Sequence, residues 1–354
     1  MSKDIYLLLA DGTAYKGKSF GAEGETLGEV VFSTGMVGYL ETITDPCYFG
    51  QIVVQTFPLI GNYGVIPEDF ESDTPQLKGY IVREWCDTPS NFRSTGDIDS
   101  LMKEKNIIGL YDIDTRALTR KLRTVGVMNG MITADLDDLE TKLEKIRAFR
   151  VENAVKTVAP TEKTTDAPEK AECKVALWDL GAKHNMAKEL LARGCEVVSV
   201  PAAATADEIE ALGVDGVVIC DGPGDPADNR EIITEIGRWF KKQIPTLGVS
   251  LGHQLMALSQ GARTEKLKYG HRGGNQPVRN LTNGSIYISS QNHGYSVVAD
   301  SLPANAKPLY ENVNDNTCEG IRYEDAPAFS VQFRPNADVF DRFLDMVKSA
   351  KGGK

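Results

Sequence analysis

The sequence predicts a two-domain α/β protein, a β-rich N-terminal α/β domain followed by a doubly wound α/β domain, and three observations carry that expectation. Short apolar segments broken by glycine fill the first quarter of the chain; residues 152–172 lose their large apolar side chains; beyond them strand-like and helix-like segments alternate. The chain has 354 residues, 41% of them hydrophobic and 25% charged, the balance of an ordinary globular protein with room for more than one core.

Residues 5–10 and 13–20, joined at Asp11 and Gly12, read as a β-hairpin, and short β-rich pieces continue to about residue 85. Two stretches in this part, Ser33–Tyr48 and Phe57–Gly64, are rich in Gly, Pro, Asn and aromatic residues; taken alone they read as turns between strands. Asp114–Gly126 places Leu118 and Leu122 four apart among basic residues, which describes a helix with a solvated basic face or one offered to an acidic partner. The first domain is assigned to residues 1–151 and the Pro-, Thr- and charge-rich stretch 152–172 to a linker.

The second domain, 173–354, begins with strands at Lys174–Trp178, Cys195–Val200, Gly216–Cys220 and Thr246–Val249, separated by helices near Asn185–Arg193, Thr205–Leu212 and Arg230–Lys242. Such alternation gives a parallel sheet with its site beyond the strands' carboxyl ends. From Arg263 onward the strands are expected to be short and broken by glycine, ending in a strand at Ala328–Phe333 and a closing helix at Asp338–Ala350.

Composition excludes several functions. A formal charge of −11 disfavours nucleic acid and anionic membrane as partners. No segment has the run of apolar residues that a membrane helix needs, and the N-terminus reads as a strand rather than a signal peptide. The six cysteines show neither a C-x-x-C pair nor a histidine at ligand spacing, so no metal site or disulfide framework is expected and the thiols read as the buried, reduced thiols of a cytoplasmic protein.

The chemistry centres on Thr246–Gln254, TLGVSLGHQ. An apolar strand that ends in G-V-S-L-G and runs at once into a helix puts Ser250 on a sharp turn, above the unpaired N–H groups of the helix start, where a nucleophile and an oxyanion hole would lie. A serine hydrolase would also need an oriented histidine. Of His184, His253, His271 and His293, His253 reads as structural and His293 as either structural or close to the site, with no acid placed to orient it.

These segments also carry a resemblance. GVSLGHQ (248–254), KLKYGHRGGNQPV (266–278), QNHGY (291–295) and SVQFRPN (330–336) resemble the successive motifs of class I glutamine amidotransferases. With 33–48, 57–64 and 114–126, the whole chain resembles the small, glutamine-hydrolysing subunit of carbamoyl phosphate synthetase. That likeness implies an amidotransferase domain over 173–354, L-glutamine as ligand and a large synthetase subunit as partner. It implies no cofactor in this chain, with ATP and metal only on the large subunit, in a reaction serving arginine and pyrimidine biosynthesis. By position it also implies a glutamine-binding set of Cys47, Gly222, Gly224, Leu251, Gln254, Asn292, Gly294 and Tyr295, with Cys47 where the family usually has Ser.

The family's Cys, His and Glu triad falls on Ser250, Arg334 and Asn336. A guanidinium has five donors and no acceptor, so Arg334 cannot take the proton of Ser250, and Asn336 offers no carboxylate to steady an imidazolium. The resulting expectation is a small subunit or paralogue without glutaminase chemistry, acting as a structural or regulatory partner of a large subunit that uses free ammonia. A free-standing glutamine sensor and a Ser250-dependent hydrolase are the alternatives.

Overall fold

A computed structural model describes residues 3–352, and the chain divides into two compact units, Met1–Ala154 and Val155–Lys354. In the first, β1 (Asp4–Leu9) and β2 (Ala14–Gly21) form the expected hairpin, with Asp11 Oδ1 accepting from Thr13 N at 3.0 Å in the turn. There follow β3 (Thr26–Ser33), α1 (Tyr39–Thr44), β4 (Gln51–Gln55), β5 (Leu59–Ile60), β6 (Gly79–Ile81), β7 (Glu84–Trp85), α2 (Ile98–Glu104), β8 (Ile108–Tyr111), α3 (Thr115–Val125), β9 (Met128–Thr133) and α4 (Leu139–Ala148). Seven strands close into a barrel in the order β1-β2-β8-β6-β4-β3-β9, which leaves that sheet no open edge. The side chains of Leu7, Leu8, Leu9, Val30, Ile52 and Val53 are fully buried in this unit.

The two glycine- and aromatic-rich stretches are more than turns. Ser33–Tyr48 contains α1, and Tyr39 stacks on Tyr63 of the other stretch with ring centroids 4.1 Å apart. Tyr39 Oη donates to Gly64 O at 2.6 Å, while Tyr63 Oη accepts from Gly38 N and Tyr39 N at 3.1 and 3.2 Å, so each stretch satisfies the other's backbone groups. The basic helix is α3: Asp114 caps it, accepting from Ala117 N at 2.9 Å, Leu118 and Leu122 are buried, and Arg116, Arg120 and Arg123 are exposed.

The stretch 152–172 is more structured than its composition predicts. It holds α5 (Ala154–Val158) and β10 (Thr164–Asp166), and β10 pairs antiparallel with β12 at the sheet edge. Backbone hydrogen bonds to an existing edge build that strand although all its side chains are exposed.

The second unit continues with β11 (Cys173–Asp179), α6 (His184–Ala192), β12 (Cys195–Pro201), α7 (Ala206–Glu210), β13 (Gly216–Ile219), α8 (Arg230–Phe240), β14 (Thr246–Val249) and α9 (Leu251–Ser259). It ends with β15 (Thr264–Asn280), β16 (Ile286–Val297), β17 (Ala306–Asn312), β18 (Cys318–Tyr323), β19 (Ala328–Val331) and α10 (Ala337–Gly352). The ten-stranded sheet runs β10-β12-β11-β13-β14-β19-β18-β16-β15-β17. Its parallel part, β12-β11-β13-β14-β19, starts with β11 and extends to both sides, which is the doubly wound arrangement expected. β13 and β14 are buried at every position, as strands covered on both faces must be.

One expectation is corrected. The glycines after Arg263 do not shorten the strands: β15 has 17 residues and β16 has 12, paired through two register shifts, one before His271 and one after Gly273. Bulges absorb the glycines and let the long hairpin bend without ending. The cysteines are free, all buried except the half-buried Cys86. Among the described residues no helix is long and apolar enough to cross a membrane.

Candidate functional site

Ser250 stands between β14 and α9 with φ 51° and ψ −105°, a strained conformation for a residue with a side chain. Two backbone bonds hold the turn: Ser250 N donates to Val331 O at 2.8 Å, and Gly252 N to Cys220 O at 3.0 Å. A Cβ on Gly252 would lie 2.1 Å from Ile219 O, so only glycine lets the first turn of α9 approach the end of β13 this closely. The elbow read from the sequence is therefore present.

Ser250 Oγ meets Nε2 of Gln332, 3.4 Å away and just past the end of β19. Gln332 in turn accepts at Oε1 from Gln254 Nε2 at 2.9 Å, and the same Gln254 nitrogen donates to Tyr295 O at 2.8 Å. An amide N–H is a donor with no proton affinity of use to a serine, so this chain orients the hydroxyl without deprotonating it. Gln332 is 1% exposed and is the residue the sequence reading passed over, although it lies inside the quoted SVQFRPN segment.

Arg334 is exposed, and its backbone N donates to Ser290 O of β16 at 2.9 Å. Asn336 is exposed too; its Oδ1 accepts from Val339 N at 3.2 Å at the start of α10, a helix-capping use of the side chain. Neither buried histidine near the elbow serves Ser250 through a hydrogen bond. His253 places Nδ1 2.8 Å from Ser330 Oγ, and complete burial lowers its pKa to about 3, so its ring is neutral. His293 places Nδ1 2.8 Å from Tyr295 O and Nε2 2.8 Å from Gln291 Oε1.

Of the eight ligand-binding candidates, seven belong to the second unit. Gly222 and Gly224 follow β13, Leu251 and Gln254 lie in the first turn of α9, and Asn292, Gly294 and Tyr295 lie on β16. Cys47 belongs to the first unit, in the short 3₁₀ turn Pro46–Tyr48, where its N–H donates to Asp45 Oδ1 at 2.9 Å. Gly222 is required by packing, since a Cβ there would lie 2.5 Å from Leu180 O. Gln254 commits its amide nitrogen to Tyr295 and Gln332, which leaves its oxygen for a ligand. Beside these, Lys183 Nζ and Asp221 Oδ2 form a largely buried ion pair at 3.0 Å between the loops that follow β11 and β13.

β16 has two faces with different contents. Asn292 and Gly294 are half-exposed, while Gln291 and His293 alternate with them and are buried. Behind the strand, His271 and His293, paired across β15 and β16, meet Glu319 of β18, their potential ligand atoms within 4.8 Å of one another. Burial acts to lower the pKa of His271, but the adjacent carboxylates of Asp315 and Glu319 outweigh it and raise the value to about 9.

The two-unit architecture agrees with comparisons to known proteins. The model of the carbamoyl-phosphate synthase small chain, CPSase domain, matches residues 7–132, and that of glutamine amidotransferase class-I matches residues 176–340. The carbamoyl phosphate synthase small chain of Fusobacterium nucleatum is 46% identical, with 96% of each chain covered. That of Clostridium perfringens is 44% identical over 96% of this chain and 98% of its own. The pyrimidine-specific small chain of Halalkalibacterium halodurans is 45% identical over 98% of this chain and 97% of its own. Identity at this level along almost the whole length means that the chain belongs to the carbamoyl phosphate synthase small-chain family, with a glutamine amidotransferase class-I domain as its second half.

Proposed function

We propose that this chain is a cytoplasmic small subunit of carbamoyl phosphate synthase that does not hydrolyse glutamine, and that it serves a large subunit using free ammonia as a structural or regulatory partner. The observation that carries this reading is the surroundings of Ser250 Oγ, which is met by an amide donor from Gln332, while the triad positions implied by the family motifs hold Arg334 and Asn336. A serine hydroxyl needs an adjacent base to attack an amide, and loss of triad members costs on the order of 10⁶-fold in a serine protease. Asn292, Gly294, Tyr295 and the loop Gly222–Gly224 are the groups by which L-glutamine would be held.

The test is ammonia release from glutamine, measured with and without an added large chain of the family, alongside mass spectrometry of the protein after incubation. The expected result is release at the uncatalysed background, no acyl adduct on residue 250, and co-purification with a large chain whose ammonia-dependent rate is intact. A normal glutaminase rate, or an adduct on Ser250, would overturn the proposal.

A further inference from the structure

The polar cluster behind β16 gathers two imidazoles, a carboxylate and an amide. Gln291 is fixed in orientation because its Nε2 donates to Glu319 Oε2 at 2.9 Å and to Ser289 Oγ at 3.1 Å, which turns Oε1 toward the two imidazoles. His293 Nε2 is 2.8 Å from that oxygen and His271 Nδ1 is 3.2 Å from it, while His271 Nδ1 is also 3.4 Å from Glu319 Oε1. The outer nitrogen of each ring is taken: His271 Nε2 lies 2.8 Å from Asp315 Oδ2, and His293 Nδ1 lies 2.8 Å from Tyr295 O.

A neutral imidazole has one N–H, yet His293 faces an oxygen acceptor at each nitrogen. With a single proton on the ring, one lone pair of His293 points at an oxygen at hydrogen-bond distance in a buried site, an arrangement that costs free energy unless a cation lies between them.

We propose that His271 Nδ1, His293 Nε2, Glu319 Oε1 and Gln291 Oε1 bind one divalent metal ion of the zinc class, at a buried structural site that ties β15, β16 and β18 together. Two imidazoles, a carboxylate and an amide oxygen form a ligand set suited to such an ion. Successive ligand atoms stand 2.8, 3.2 and 3.4 Å apart, against about 3.4 Å for tetrahedral ligands about 2.1 Å from a shared ion, so binding would open the two shorter separations. The carboxylate on the outer nitrogen of His271 and the carbonyl on that of His293 supply the outer hydrogen bonds that orient metal-binding histidines. The ion would fix the strand that carries Asn292 and Gly294 on its opposite face. The proposal departs from the expectation of no metal in this chain, which rested on cysteine spacing and on the family resemblance, whereas these ligands stand at 271, 291, 293 and 319 and meet only through strand pairing.

The full chain, purified without a polyhistidine tag and stripped with a chelator, is titrated with Zn²⁺ by calorimetry and with Co²⁺ as a visible-absorption probe. Binding of one ion per chain is expected, with affinity reduced at least 100-fold in His271→Asn and His293→Asn, 10- to 100-fold in Asp315→Asn, and unchanged in His184→Asn. X-ray absorption of the wild-type complex is expected to count two imidazoles, a readout that holds even if a variant fails to fold. No ion uptake by the wild type, uptake by the two histidine variants as strong as the wild type's, or fewer than two imidazoles at the ion would each overturn the proposal.

Discussion

Two polar clusters lie in the second unit, and they fail in opposite directions as chemistry. On the elbow side, Ser250, Gln332, Gln254 and Tyr295 form a chain in which donors reach the hydroxyl and no base does. On the far side, beside His271 and Glu319, His293 faces an oxygen acceptor at each nitrogen. Each contains well-buried amides, Gln254 and Gln332 in one and Gln291 in the other, so a buried amide alone does not distinguish them. What separates them is the pairing: a buried polar group does whatever its hydrogen-bond partners leave it free to do.

The largest change expected comes from giving the elbow side the base it lacks. The combined replacement Ser250→Cys, Arg334→His and Asn336→Glu is expected to raise ammonia release from glutamine by at least about 10³-fold over the starting protein, with Ser250→Cys alone recovering little of it. Steady-state ammonia assays decide this, and an unchanged rate in the triple variant would mean that the pocket itself no longer accepts glutamine.

A smaller effect concerns His253, the imidazole in the elbow helix, which is locked neutral. Its folded pKa of about 3 lies below the unfolded value of about 6.5, so its unfolded form takes up a proton first as pH falls. It contributes no pH dependence above about 6.5, and below that its neutrality lowers the unfolding free energy by up to about 1.4 kcal/mol per pH unit until pH approaches 3. Denaturant titrations between pH 4 and 8 should therefore show a slope shallower by close to one proton in His253→Asn than in the unsubstituted chain; identical slopes would place the acid sensitivity elsewhere.

The smallest effect is at Asn336. If this residue now serves α10 as a cap rather than a catalytic site, Asn336→Ala should cost about 1 kcal/mol of stability and leave any ammonia-supported synthesis by the complex unchanged. Chemical denaturation and a coupled synthesis assay read the two outcomes separately.

Much of the scaffold was legible before any coordinates. The apolar runs of β11 to β14 and the amphipathic spacing of α3 and α8 depend on local periodicity. The elbow was legible for the same reason, since a glycine on each side of Ser250 is a local signal. Longer-range pairing was not. The strand β10 exists because an edge was available to it, and the unbroken β15–β16 hairpin exists because bulges absorb its glycines.

By itself, the sequence determined the order of the elements, the elbow at Ser250, and the absence of an imidazole and a carboxylate at positions 334 and 336, because these are properties of neighbours along the chain. Only the tertiary structure decided that Gln332 is the group beside Ser250, that Gln254 is turned toward Tyr295 and Gln332, and that His271, His293 and Glu319 share one buried space. The physical reason is that hydrogen-bond partners are chosen by strand register and side-chain direction across the sheet, and residues dozens of positions apart carry no mark of that choice in their own local pattern.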